Sequence, residues 1–330
     1  QPRQLEETLT PIYPATEGIT QSRIRDLCAQ ALTKLDNHPI AELLPSFPDG
    51  GLNHQLAYSL IDALLLLHNP PPGTALNLLA AGEHPAQQRL AAEELIAHNL
   101  SLLRLRQKIQ QQGAPILRED QTAKSAFLKQ LNFQLTDAQI RVADEINVDI
   151  DSTVPMLRLV QGDVGSGKTV VAALAALQAI ANGKQVALMA PTEILADQHR
   201  QNFEQWFKPL NIGVTWLTGK IKGKARALKL SAIADGTAQM VIGTHALFQD
   251  TVEFNDLGLS IIDEQHRFGV HQRLALRQKG FVPNSTAETN GSAPHQLIMT
   301  ATPIPRTLAM SAYADLDCSV IDELPPGRKP

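Results

Sequence analysis

The segment that most constrains the fold is GDVGSGKT, residues 162–169. Its two outer glycines and the following Lys-Thr have the spacing of a loop whose backbone N–H groups wrap phosphate oxygens. An apolar run, LRLV, precedes the loop and an alanine-rich helical pattern follows it, so the amino end of that helix also faces the anion. We therefore predict a strand, a nucleotide-binding loop and a helix, with Lys168 on the β- and γ-phosphates and Thr169 on Mg²⁺. The predicted nucleotide-binding residues of the loop are Gly162, Asp163, Val164, Gly165, Ser166, Gly167, Lys168 and Thr169.

Short apolar runs alternate with helical patterns from about Met156 onward. This alternation is typical of an α/β fold with a parallel sheet and helices on both faces, whose ligands bind beyond the carboxyl ends of the strands. The predicted strands are Met156–Gln161, Gln185–Ala190, Gly213–Leu217, Gln239–Gly243, Leu259–Asp263 and Gln296–Thr300.

Two carboxylates end the apolar run LSII, about 95 residues after the phosphate loop. Asp263 is predicted to hold Mg²⁺ together with Thr169, and Glu264 to orient the attacking water. Gln265 and His266 follow directly, and their donor and acceptor groups suit a relay that senses the γ-phosphate. A surface acid pair is the alternative, but the apolar run favours a buried strand.

A possible adenine contact lies upstream, in LTDAQ. Thr136 is a plausible helix cap and Gln139 lies one turn later. A glutamine amide can pair with both N6 and N7 of adenine, so Gln139 would favour ATP over GTP. The alternative is a solvent-facing helix residue.

The first 115 residues read as helical, and Pro85 suits the first turn of a long helix that ends near Gly113. We find no catalytic constellation in them. No apolar run approaches the roughly 20 residues that cross a bilayer, so we expect no membrane partner and a cytoplasmic location. The distant Cys28 and Cys318 predict neither a disulfide nor a zinc site. The net charge of −4 argues against bulk coating of nucleic acid, yet residues 220–229 are locally basic.

The order of motifs resembles the superfamily 2 helicases, and among them the RecG branch-migration translocases. The resemblance rests on LTDAQ, GDVGSGKT, APTEILADQH, GTHAL, DEQH and the segment beginning MTATPIPRT, and extends upstream to PIYPATEGITQ and EELIAHNLSLLRLR. It covers nearly the whole chain. It implies a RecA-like motor sheet that uses ATP and Mg²⁺ to remodel branched DNA, such as stalled forks and Holliday junctions, in repair and recombination.

The resemblance also assigns roles to individual residues. Three segments that follow predicted strands are similar to segments that touch the DNA backbone, and such contacts give affinity without sequence choice. The TAT segment, residues 300–302, resembles a coupling motif in which Thr300 and Thr302 link the nucleotide and DNA sites. The DNA-binding residues implied are Pro191, Thr192, Glu193, Gly219, Thr244 and His245.

The resemblance further implies two regions, a helical connector over residues 1–115 and a first motor domain over residues 116–330. A wedge domain before the connector and a second motor domain after residue 330 are not in this sequence. Because the second motor domain supplies an arginine finger, worth about 10³ to 10⁵ in rate, this chain alone is expected to bind ATP but to be a poor motor. We expect a monomer, with single-stranded DNA-binding protein as a further partner.

Two alternatives stay open at this point. The transcription-repair coupling translocases share the MTATPIPRTL segment, although they usually have Glu-Glu-His where this chain has Glu264, Gln265 and His266. A phosphate-loop kinase or nucleotide-sensing module is the alternative from a different class, but it would not need the TAT segment.

Overall fold

The computed structural model describes residues 9–14, 18–44, 57–264, 292–302 and 316–323. Gln265 and His266, predicted to form the relay, lie outside these residues. The chain divides into two compact units, Gln1–Ser101 and Leu102–Pro330. The domain boundary near residue 115 remains a prediction. Within the described residues, no helix is both long enough and apolar enough to span a membrane.

The amino-terminal region is helical, as predicted. Helices α1 and α2 begin where Thr20 and Ser59 accept hydrogen bonds from the backbone N–H three residues on, which satisfies a donor that the helix leaves unpaired. Within the first unit Arg89 is 1% exposed and forms ion pairs with Glu42 and Glu93. The first four helices are α1 (Gln21–Asn37), α2 (Leu60–His68), α3 (Leu76–Ala81) and α4 (Pro85–Gln110).

The second unit is built on a seven-stranded sheet in the order β3-β4-β2-β5-β6-β1-β7. Every neighbouring pair is parallel. The strands are β1 (Leu157–Gly162), β2 (Gln185–Met189), β3 (Val214–Leu217), β4 (Met240–Gly243), β5 (Leu257–Asp263), β6 (His295–Thr300) and β7 (Asp317–Ile321). All six predicted strands are present, with small shifts at their ends.

Helices cover both faces of this sheet, which confirms the predicted α/β class. Val186 and Leu188 of β2 belong to the core with helices α5 to α8, whereas Ala187 and Met189 belong to the core on the opposite face, with Ile233 of α9. Successive strand residues point to opposite faces, so a strand buried on both sides is apolar throughout. These helices are α5 (Gln121–Gln130), α6 (Asp137–Ile150), α7 (Lys168–Ala181), α8 (Glu193–Phe207) and α9 (Gly223–Ala234).

Strand β7 was not predicted from the sequence. In this edge strand Cys318 and Val320 are exposed, whereas Ser319 is buried and accepts a 2.7 Å hydrogen bond from Arg158 of β1. Because a polar residue is buried and an apolar residue is exposed, β7 lacks the hydrophobic pattern from which a strand is predicted.

The parallel arrangement brings all strand ends to one edge of the sheet. The phosphate loop follows β1, the carboxylate pair ends β5, and the TAT segment ends β6, which lies between those two strands. The three segments predicted to bind DNA follow β2, β3 and β4 on the other half of the same edge.

Candidate functional site

The phosphate loop connects β1 directly to α7. Gly167 has φ +88°, and a Cβ there would come within 2.2 Å of Gln139 Nε2, so only glycine fits. The Lys168 ammonium donates to the carbonyls of Gly162 and Asp163, at 2.6 and 2.9 Å. The Lys168 side chain therefore folds back over the phosphate loop, and its amine is hydrogen-bonded to the loop backbone.

Ser166 indicates what the loop can hold. Its side chain is 1% exposed, and its Oγ has no hydrogen-bond partner among the described residues. Buried hydroxyls are rarely left without a partner, so an acceptor from outside the chain fits here. A phosphate oxygen, placed beside Lys168 at the amino end of α7, meets that requirement.

Gln139 is held by the protein at both ends of its amide. Its Oε1 accepts from the Thr136 N–H at 3.0 Å, completing a capping box, and its Nε2 donates to the Ser166 carbonyl at 2.8 Å. The Thr136 cap is therefore confirmed, but the side chain is buried, not solvent-facing. The predicted contact with adenine would require the amide to leave at least one of these partners, and it stays a prediction.

Asp263 ends β5 with its side chain nearly buried. His199 of α8 lies 2.7 Å away, measured from its Nε2 to Asp263 Oδ2, and is 7% exposed. An ionised carboxylate only accepts hydrogen bonds, so the imidazole Nε2–H is the donor. No role for His199 was predicted, because nothing in the sequence relates it to a carboxylate 64 positions later.

Glu264 connects the carboxylate pair to the TAT segment. Its backbone has φ +53°, in the left-handed region, and its N–H donates to the Met299 carbonyl at 2.9 Å. Its Oε1 accepts from the Ala301 N–H at 3.1 Å. In the same segment the Thr300 and Thr302 hydroxyls lie 2.8 Å apart. The two predicted coupling residues therefore contact each other, and Glu264 contacts the residue between them.

The lysine of the phosphate loop and the carboxylates at this edge of the sheet interact electrostatically. Burial lowers the pKa of Lys168, while the charges of Asp263, Glu264 and Asp163 act in the opposite direction. Because burial disfavours the ammonium charge and an anion beside it favours that charge, Lys168 suits a site that receives an anionic group such as a polyphosphate.

The residues present also fit Mg²⁺. Among the described residues no cluster of three or more His, Cys, Asp or Glu could hold a cation by itself. Mg²⁺ typically uses one or two protein oxygens, several waters and substrate phosphates. Asp263 and the Thr169 hydroxyl are protein oxygens of this kind, so the ion fits only together with a nucleotide.

The segments predicted to bind DNA lie together at the ends of β2, β3 and β4. Thr192 caps α8 by accepting from the Leu195 N–H, and Glu193 forms an ion pair with Lys220, at 2.5 Å, directly after Gly219. His245 is exposed, and Pro191 is partly exposed.

Thr244 differs from the other predicted DNA-binding residues. Its side chain is 3% exposed, and its Oγ1 has no hydrogen-bond partner in the part of the chain that the structure describes. Like the Ser166 hydroxyl, the Thr244 hydroxyl is thus buried without a described partner, and the DNA contact at Thr244 stays a prediction.

The end of β7 adds contacts that the sequence did not predict. A Glu323 carboxylate oxygen accepts from the Ala138 N–H at 3.1 Å, at the amino end of α6, and Arg141 pairs with Asp322 at 2.8 Å. The carboxyl end of β7 is thus attached to the helix that carries Gln139.

The fold and the site define the class: with a phosphate loop after one strand, an acidic pair at the end of a second and the TAT segment at the end of the strand between them, this is a RecA-like, phosphate-loop NTPase domain. Residues 136–311, more than half of the chain, match the DEAD/DEAH box helicases, and the chain belongs to that family.

Curated relatives with high sequence identity are named ATP-dependent DNA helicase RecG. The ATP-dependent DNA helicase RecG of Haemophilus influenzae is 61% identical over 329 residues, covering 100% of this chain and 46% of that protein. RecG of Escherichia coli (strain K12) is 60% identical over 327 residues, covering 99% of this chain and 46% of that protein. A solved structure of RecG bound to a three-way DNA junction aligns with a TM-score of 0.67 at 38% identity, over 97% of this chain and 40% of that one. These matches confirm the resemblance inferred from the motifs, and the chain spans about half the length of its curated relatives.

Proposed function

We propose that this chain contains the nucleotide-binding motor region of an ATP-dependent DNA helicase of the RecG type, which remodels branched DNA such as forks and Holliday junctions in repair and recombination. The observation that carries the proposal is the shared edge of the sheet. The phosphate loop follows β1, the carboxylate pair and the TAT segment lie at the ends of β5 and β6, and the candidate DNA segments follow β2, β3 and β4. The RecG structure on a three-way junction supports branched DNA as the substrate.

In this proposal ATP binds with its phosphates in the loop. The Ser166 hydroxyl and the Lys168 amine face the phosphate oxygens, while Thr169 and Asp263 supply the protein oxygens for Mg²⁺. When bound, the ion would supply positive charge against the charge that develops on the transferred phosphoryl group. Glu264 orients the attacking water, and Gln139 contacts the adenine once its amide is released from the loop.

Coupling between the two sites runs through the TAT segment. The Glu264–Ala301 hydrogen bond joins the carboxylate pair to the chain between Thr300 and Thr302. A change at the γ-phosphate that moves Glu264 would therefore move this segment. Gln265 and His266, which follow Glu264 in the sequence, remain the predicted relay residues.

DNA is held through its backbone. We propose contacts from six residues, namely Pro191, Thr192, Glu193, Gly219, Thr244 and His245. The basic residues from Lys220 to Lys229 would add phosphate contacts that weaken with salt. The division into a helical connector, residues 1–115, and a motor domain, residues 116–330, is part of the same proposal, as are a monomeric state, a cytoplasmic location and single-stranded DNA-binding protein as a partner.

ATP hydrolysis by the complete protein tests the proposal. We expect three-way junction DNA to stimulate hydrolysis more than linear duplex, and Lys168→Ala and Asp263→Asn each to reduce the rate at least about 100-fold. Lys184→Ala is the matched control, because Lys184 precedes β2 at the opposite edge of the sheet and pairs only with Asp256 in the described contacts. Hydrolysis that is indifferent to DNA, or transfer of phosphate to a small acceptor, would favour the kinase or sensor alternative.

A further inference from the structure

A buried histidine contacts the predicted metal ligand. His199 donates from Nε2 to Asp263 Oδ2 at 2.7 Å, and the two residues are 7% and 9% exposed. This is the only hydrogen bond that the described residues give to the His199 ring. Its Nδ1 is buried and has no partner among them.

Packing alone does not explain a histidine at this position, because the buried Nδ1 has no described partner. An apolar side chain would fill the same space without burying a polar atom that has no described partner. Among the described residues, the feature that explains an imidazole at this position is the hydrogen bond from Nε2 to the carboxylate.

The helix that carries His199 begins at the candidate DNA surface. Thr192 caps α8, and Glu193 in its first turn pairs with Lys220. His199 lies seven residues after Thr192, or about two helical turns, and so on the same face of the helix. One rigid helix thus has a candidate DNA contact at its amino end and a hydrogen bond to the metal ligand two turns on.

We propose that His199 is a positioning residue for the metal site: it fixes the orientation of the Asp263 carboxylate and attaches that carboxylate to helix α8. The inference rests on the proposed function, because it assumes that Asp263 serves Mg²⁺. A ligating carboxylate whose rotamer is already fixed by a hydrogen bond loses less freedom when the ion binds, and removal of such a partner typically weakens metal binding about 10- to 100-fold. A displacement of α8 by DNA would also be transmitted to the carboxylate.

Mn²⁺ is the probe, because its free and bound forms are distinguished by electron paramagnetic resonance. The complete protein is titrated with Mn²⁺ in the presence of ADP, and ADP affinity is measured separately without divalent metal. We expect His199→Leu to weaken Mn²⁺ binding about 10- to 100-fold and to leave metal-free ADP affinity unchanged. We expect His199→Gln, whose amide nitrogen can reach the carboxylate, to recover most of the loss.

A second buried histidine provides the matched control. His295 is 0% exposed and lies at the start of β6, where its ring accepts from the Met156 N–H and donates to the Pro115 carbonyl. His295→Leu should lower thermal stability without changing Mn²⁺ affinity. If His199→Leu does not fold, the comparison of His199→Gln with His199→Asn replaces it, since the shorter amide cannot reach Asp263.

The outcomes distinguish a failure of the His199 inference from a failure of the proposed function. Mn²⁺ affinity of folded His199→Leu within threefold of wild type overturns the inference, as does equal Mn²⁺ affinity of the Gln and Asn variants. If the wild-type protein itself shows no nucleotide-dependent Mn²⁺ binding, the proposed function fails, and this inference fails with it.

Discussion

Replacement of Glu264 by glutamine or alanine separates its two proposed roles. Both variants lose the carboxylate that orients water, so both should lose hydrolysis. They differ at Ala301, whose N–H donates to Glu264 Oε1 at 3.1 Å. A glutamine oxygen can accept this bond at the same place, whereas alanine cannot.

The strength of this one bond limits the coupling that it can transmit. A hydrogen bond to a charged group contributes about 1.5–3 kcal/mol and a neutral one about 1 kcal/mol. Since about 1.4 kcal/mol is a factor of ten, the carboxylate bond can transmit at most about a 10- to 150-fold change in DNA affinity on nucleotide binding. The corresponding limit is about fivefold for Glu264→Gln, and Glu264→Ala transmits nothing by this route.

Fluorescence anisotropy of a labelled three-way junction measures this coupling without hydrolysis. The affinity of the complete protein for the junction is compared with and without a non-hydrolysable ATP analogue and Mg²⁺. The nucleotide effect should decrease in the order wild type, Glu264→Gln, Glu264→Ala. A folded Glu264→Ala variant with the full wild-type effect would refute the argument.

Three further predictions concern stability and salt. Gln139→Ala loses two side-chain hydrogen bonds, one buried and one partly buried, and should lower the free energy of unfolding by about 2 kcal/mol in urea titrations. A greater loss of affinity for ATP than for GTP would support the adenine contact, and equal losses would favour a role in bracing the loop. Burial lowers the pKa of His295, so as the pH falls the unfolded chain binds a proton before the folded chain does. The free energy of unfolding should therefore keep its full value above about pH 6.5 and decrease below it, by up to about 1.4 kcal/mol per pH unit. His295→Gln should remove this pH dependence. Lys220→Ala should change stability by less than about 0.5 kcal/mol, because its pair with Glu193 is exposed; in junction-binding titrations it should reduce the slope of log affinity against log salt by about one.

The central strands were predictable because their physical requirements appear in the sequence. Strands buried on both faces are continuous apolar runs, and the phosphate loop allows few residue types at its turns. Edge strand β7 was missed for the opposite reason: it is buried on one side only, and Ser319 is held there by Arg158.

Only the site residues that belong to sequence motifs could be predicted. The sequence indicated Lys168 and the two carboxylates, because their chemistry depends on residue type and strand position. It could not indicate His199 or Glu323, whose partners are distant in sequence and adjacent only after folding. For Gln139 it identified the helix cap nearby but not the bond to the loop, since an amide can take several partners and the fold selects among them.

The most direct test of the account is the conversion of a labelled three-way junction into its duplex products by the complete protein. Wild type should convert the junction only when ATP and Mg²⁺ are both present. Lys168→Ala should bind the junction with unchanged affinity and leave it unconverted. Conversion by Lys168→Ala at the wild-type rate, or a wild-type protein that binds the junction but leaves it intact with ATP and Mg²⁺, would contradict the claim that this sheet edge is a DNA motor.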